Sequence, residues 1–182
     1  MAGRVRGLIG WVVVVPVLAA LTTWFASFDG FRLLLTLLLL AALLGAARVS
    51  LGSTEHGLGW RILTILCALA VTVPTVAGTM SVLALAGERV TAVVSEEISV
   101  TERRLADPAT GEDLGLLPGT ARVTGAGEVG DPIDVLVLPG SGLDPLPASR
   151  AGIGTTFATV WAAGWVAGLV LVLVRSRRPV PA

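Results

Sequence analysis

The stretch from Ile153 to Val174, IGTTFATVWAAGWVAGLVLVLV, runs for 22 residues without a charged side chain. A helix rises about 1.5 Å per residue, so about 20 apolar residues cross a hydrocarbon core about 30 Å thick. Three further stretches read the same way: Gly7 to Ala26, Phe31 to Ala47 and Arg61 to Ala86. Over the whole chain 54% of residues are hydrophobic, above the roughly 45–50% of soluble domains. Backbone polar groups in lipid are satisfied only within a helix or a closed barrel, and these runs lack the alternation of a barrel strand. The sequence therefore predicts four transmembrane helices. Pro16 and Pro74 each remove one helical donor and are expected to kink the first and third.

The charges give the expected orientation. All thirteen basic residues are arginine, and the formal net charge is zero. Seven of them (Arg4, Arg6, Arg48, Arg61, Arg175, Arg177 and Arg178) fall on one side of the spans with a single acid, Glu55. The other side carries six arginines and twelve acids, so the two sides differ as +6 and −6. Basic flanks stay in the cytoplasm, which puts both termini and the basic tail 175–182 inside the plasma membrane. A cleaved signal peptide in place of the first span is disfavoured, because Thr23-Trp24-Phe25-Ala26-Ser27-Phe28 is too bulky for the small-residue cleavage pattern. Trp24, Phe25, Phe28 and Phe31 look like an aromatic belt at the outer interface, with Trp11 and Trp60 near the inner one.

No ionisable group lies deep inside a span, which argues against a pump or channel. The polar atoms there are threonine and serine hydroxyls, able to bond back to their own helix. Gly164 and Gly168 form G-x-x-x-G in the fourth helix, and Ala41 and Gly45 repeat the spacing in the second. Such spacing allows close helix packing within the bundle or in a homo-oligomer. Trp161 and Trp165, at i and i+4, mark a protein-facing side or a partner groove. The single cysteine, Cys67, rules out an intramolecular disulfide.

Between residues 87 and 152 the composition changes to dense charge punctuated by Gly and Pro, with no aromatic residue and no His. Residues 89–94, 98–101, 120–124 and 133–138 read as strands, with a turn at Asp107-Pro108-Ala109-Thr110-Gly111. The expected fold is a small all-β extracytoplasmic insertion, a barrel or half-barrel of four to five strands, between helices three and four. At about 65 residues such a unit is near the lower limit of independent stability and should lean on its tethers or on a partner.

Gly87-Glu88-Arg89-Val90-Thr91-Ala92-Val93-Val94 and Val129-Gly130-Asp131-Pro132-Ile133-Asp134-Val135-Leu136-Val137, with the Pro-rich exit through Pro139, Pro145 and Pro147, carry a resemblance. They resemble small actinobacterial four-helix membrane proteins of unknown function with one extracytoplasmic β domain. The resemblance implies this fold and topology and no activity.

Chemical motifs are sparse. Glu96, Glu97, Glu102, Arg103 and Arg104 read as a solvated charged edge. Glu128, Asp131 and Asp134 lack the ligand spacing of a calcium loop. His56 has no second His or Cys to form a metal site, and Ser141 has no outer His to act as its base. Neither cofactor nor metal is expected, and the acidic excess excludes nucleic acid. The chain thus reads as a non-enzymatic membrane protein presenting its β domain, or the fourth helix, to a protein partner. The alternatives are a membrane immunity protein against a toxin and a small transporter component.

Overall fold

The structure, a computed structural model, describes residues 2–25, 30–51, 58–118 and 128–177. Six α-helices are described: α1 (Ala2–Ile9), α2 (Val15–Phe25), α3 (Gly30–Leu51), α4 (Leu58–Thr75), α5 (Gly78–Ala86) and α6 (Ala151–Arg177). Five strands separate α5 from α6: β1 (Glu88–Ser99), β2 (Glu102–Ala106), β3 (Asp113–Pro118), β4 (Pro132–Val137) and β5 (Leu146–Pro147). Four helical segments, Arg6–Trp24, Leu34–Leu51, Leu58–Thr75 and Ala148–Val174, are long and apolar enough to cross a membrane. Contacts divide the chain into two compact units, residues 1–78 with 157–182, and residues 79–156.

In the helical unit both internal prolines reshape their spans. A π turn, Gly10–Val14, joins α1 to α2 immediately before Pro16, and the Val15 N–H donates to the Gly10 carbonyl five residues back. Pro16 has no N–H for the Val12 carbonyl and its ring crowds that group, so the wider turn absorbs the misfit. The expected single third helix is instead interrupted one residue past Thr75. There Val76 N–H bonds the Val73 carbonyl at 3.2 Å and Ala77 N–H bonds the Pro74 carbonyl at 3.0 Å, tight turns that end α4 before α5 begins. The outcome at Pro74 is thus a break, where the sequence suggested a bend.

Trp11 is fully buried in the helical core, together with Val15, Leu43, Ala47 and Val71. Its indole needs both room and an acceptor. Gly168 gives the room, since a Cβ there would overlap the indole ring. The Trp165 carbonyl gives the acceptor, taking the Trp11 Nε1–H at 2.9 Å. One turn earlier, Gly164 lies against Ala70, whose Cβ would be 2.7 Å from any Cβ added at the glycine. The G-x-x-x-G pair of α6 is thus used inside the unit, against two different helices.

Ala41 and Gly45 differ. Both are exposed on α3, and a Cβ at Gly45 would meet nothing. Trp161 and Trp165 stack with centroids 6.5 Å apart and planes 8° apart, half-buried against the helical core. Trp24 is exposed; the side chains of Phe25 and Phe31, and Phe28 as a whole, lie outside the described residues. The threonine hydroxyls turn back on their own helices: Thr22 to the Leu18 carbonyl, Thr72 to Ala68 and Thr75 to Val71, at 2.7–2.8 Å.

The second unit contains a five-stranded antiparallel sheet of order β3-β2-β1-β4-β5. Alternation sends Val90, Ala92 and Val94 of β1 to one face, where they meet Leu105, Leu117, Ile133, Val135 and Val137. The other face of β1 carries Arg89 and Thr91. A separate cluster of Leu83, Leu136 and Leu146, with Met80, Leu138 and Ala151 against it, fastens the sheet to α5 and to the start of α6. The unit thus reaches past residues 87–152 into the helices on either side. Gly154 makes this possible by lying against Ala84 and the Met80 backbone.

Gly168→Val should force the Trp11 indole out of place and destabilise the helical unit by about 1–3 kcal/mol. Gly45→Val, on open surface, should change stability by less than about 0.5 kcal/mol. Denaturant titration of both variants in detergent, followed by tryptophan fluorescence, separates these outcomes; equal losses would contradict the packing described.

Candidate functional surface

The β unit holds most of the chain's charge, and its strands decide which charges meet. β1 is twelve residues long, and its first half pairs with β4, from Glu88 opposite Val137 to Val93 opposite Pro132. At Val94 this partner ends, with the Gly130 N–H bonding the Val94 carbonyl at 2.9 Å. The second half continues against β2 alone, to Ser99 opposite Glu102. The β1–β2 hairpin therefore outruns β4, and among the described residues no strand flanks Ser95–Ser99 on that side. At its tip Ile98 and Val100 are exposed, Val100 by 76%, with the exposed carboxylates of Glu96, Glu97 and Glu102 around them.

Arg104 lies opposite Glu96 in the ladder and makes ion pairs with Glu96 at 3.5 Å and with Asp113 of β3 at 3.7 Å. Arg103 lies opposite Glu97, 3.6 Å away. Arg103 is on the same face as Leu105, two residues along, and so points inward; its side chain is 4% exposed. The reading of Glu96, Glu97, Glu102, Arg103 and Arg104 as a solvated charged edge therefore fits the exposed glutamates of β1 beyond the end of β4, and is corrected for Arg103, which is buried. β2 is an interior strand between β1 and β3, and its arginines knit the sheet.

The real edges, β3 and β5, are protected by other means. β5 contains Pro147 and is preceded by Pro145, neither of which offers an N–H. On β3 the Leu116 N–H bonds the Asp144 carboxylate at 3.4 Å. Gly115, at φ +103°, comes so near the chain before β5 that a Cβ would be 3.2 Å from Pro145 Cδ. The sheet therefore curls until its two edges approach, and a side chain stands in for the missing ladder. The expected half-barrel is recovered, with β2 and β3 as its second and outermost strands.

The remaining candidate groups are absorbed locally. Asp131 accepts from the Glu128 N–H at 2.8 Å, while Asp134 faces β1, so Glu128, Asp131 and Asp134 do not converge. Among the described residues no group of three or more His, Cys, Asp or Glu side chains is placed to hold a metal. Ser141 donates to the Leu138 carbonyl at 2.6 Å and accepts from the Leu143 N–H at 3.2 Å, the bonding of a turn residue. The turn at Asp107–Gly111 forms as expected, with the Asp107 carboxylate accepting from the Ala109 N–H at 2.7 Å. His56 and the anticipated strand at 120–124 lie outside the described residues. Comparison with known proteins finds no matching family model, no similar curated protein and no similar solved structure.

The best-defined polar cluster is Arg89, Thr91 and Asp134. Arg89 Nη2 donates to Asp134 Oδ2 at 2.6 Å and Thr91 Oγ1 donates to Oδ1 at 2.9 Å. The Arg89 hydrogen bond, then that of Thr91, then the Arg89 charge hold the Asp134 carboxyl below the usual aspartate value. A folded value below the unfolded one stabilises the fold above the unfolded pKa of about 3.9, and the contribution is lost as pH falls through the folded value. Carboxyl NMR titration should place the Asp134 midpoint below about 3.9. Arg89→Gln should raise it further than Thr91→Val; an unmoved midpoint in Arg89→Gln would show the pairing to be absent in solution.

Proposed function

We propose that this chain is a non-enzymatic, multi-pass membrane protein whose termini are cytoplasmic and whose acidic β unit stands outside the cell membrane. There it serves a protein partner, as an accessory or receptor-like subunit of an envelope complex. The observation that carries this reading is the tip of the β1–β2 hairpin. Ile98 and Val100 are held out in solvent by a strand that continues past β4, while the apolar residues further down the same strand are buried. An apolar tip rimmed by carboxylates suits a partner whose contact surface is apolar at its centre and basic at its edge.

Three considerations support the reading. The nucleophile-like Ser141 and the carboxylates of Asp131 and Asp134 are each engaged in local hydrogen bonds, and Glu128, Asp131 and Asp134 do not converge on one point. Arginine is concentrated at the helix termini of the first unit, and acids outnumber arginines in the second, the distribution expected when the β unit is on the far side of the membrane. The sheet also draws stability from its flanking helices through Leu83, Leu136 and Leu146, which suits a domain that remains at the bilayer.

Two measurements test it. Val100→Cys should react with a membrane-impermeant maleimide in intact cells; labelling only after permeabilisation would invert the topology. A photoreactive amino acid at Val100 should crosslink to a discrete protein in living cells, whereas the same group at Thr110, in the β2–β3 turn, should not. Absence of any adduct specific to Val100 would remove the hairpin tip as the contact.

A further inference from the structure

The end of the helical unit opposite in charge to the β unit has groups that neither the fold nor the proposed partner uses. Arg6 stands in the last turn of α1 and Arg48 in the last turn of α3. Both are exposed, and among the described residues neither makes an ion pair. Their backbones are gathered at one end of the bundle. Gly7, next to Arg6, lies so near α3 that a Cβ would be 3.2 Å from the Ser50 carbonyl, two residues past Arg48. Trp11, Leu51 and Leu171 share one core, and each lies within about a turn and a half of an arginine: Arg6, Arg48 and Arg175. Among the described residues of this unit there is no aspartate or glutamate.

These arginines are set among exposed apolar side chains. Val49, beside Arg48, is 80% exposed, and Leu58, at the start of α4, is 74% exposed. Ile9, one turn from Arg6, is also exposed. A free phosphate ion would use the guanidinium groups and gain nothing from such neighbours. A phospholipid would use both, with its phosphodiester on the planar donor fork of arginine and its glycerol and upper acyl carbons on the apolar residues.

We infer that the arginine-bearing end of the helical unit is a contact surface for anionic phospholipid head groups, formed by Arg6 and Arg48 with the exposed Ile9 and Val49 next to them on their own helices. The inference does not depend on the partner proposed for the β unit. Each basic residue at a membrane surface favours anionic lipid by about fivefold, so the two arginines together give a preference that is large enough to measure.

The full chain, purified in detergent, is equilibrated with equimolar phosphatidylglycerol and phosphatidylcholine of identical acyl chains, and retained lipid is counted by native mass spectrometry. Phosphatidylglycerol should be retained at least severalfold over phosphatidylcholine. Arg6→Gln with Arg48→Gln should lower the ratio at least severalfold, and Arg104→Gln, in the β sheet, should leave it unchanged. Inorganic phosphate should not displace the retained phosphatidylglycerol. Equal retention of the two lipids by the wild-type protein would overturn the inference without need of any variant. So would a preference that the double substitution leaves unchanged, or displacement by phosphate, which would assign the arginines to a free anion.

Discussion

The Trp11 indole resting on the bare Cα of Gly168 is the contact on which the helical unit is built. Apolar side chains gain little by leaving lipid for a protein interior, so helices in a membrane associate through close fit and through polar bonds. Trp11 supplies both. The largest side chain available fills the space left by the smallest, and its N–H reaches the Trp165 carbonyl at 2.9 Å. The π turn is what puts Trp11 there. By adding a residue to one coil between Gly10 and Val14 it alters which face each later side chain occupies, and Val15 and Ala19 then continue the buried stripe that Trp11 begins.

The β unit solves a different problem. A curled five-stranded sheet without a single aromatic side chain encloses only aliphatic volume, and its core is limited to a handful of Val, Leu, Ile and Ala residues. It gains a second core by using its outer face at Leu136, which packs with Leu83 of α5 and with Leu146. Strand β4 is therefore buried on both faces, Val135 on one and Leu136 on the other. That double burial accounts for the unbroken apolar run Val135-Leu136-Val137, which begins only after the half-exposed Asp134.

The four helices long and apolar enough to cross a membrane were legible in the sequence because hydrophobic length is a property of composition, which neighbours cannot change. The turn at Asp107–Gly111 and the strands around Val90 and Val135 were legible for a similar reason: their signals are local. β2 and β3 were not. Glu102-Arg103-Arg104-Leu105-Ala106 has too many charges to read as strand, and only pairing with both neighbours makes it one. Asp113-Leu114-Gly115-Leu116-Leu117-Pro118 has a glycine that sequence alone reads as a break, yet that glycine forms the irregularity opposite Leu105 and Ala106 that lets the sheet curl. The burial of Arg103 followed from the same misreading, since its direction is fixed only once Leu105 is known to point inward. For the candidate surface, the carboxylates of the hairpin were visible as a group, but their exposure beyond the end of β4 depends on where a distant strand stops. Gly164 and Gly168 against Ala41 and Gly45 make the same point in helices. The motif spacing is shared, and only the tertiary arrangement brings Ala70 and Trp11 to one pair and nothing to the other.

What the fold satisfies internally narrows where it can act on other molecules. The hydroxyls of Thr22, Thr72 and Thr75 are returned to their own helices, Arg89 is paired with Asp134, and Arg104 is paired with Glu96 and Asp113, across strands. Groups already matched in this way have little to gain from a partner, because any new contact must first break an existing one. Among the described residues two sets of groups stand out as lacking such a match: the exposed apolar hairpin tip at Ile98 and Val100, and the guanidinium groups of Arg6 and Arg48. The first set lies among carboxylates and the second among apolar side chains, so the two surfaces favour ligands of opposite kind. A single small substrate would not suit both, whereas a membrane protein held by its lipid at one surface and by another protein at the other would use each as it stands.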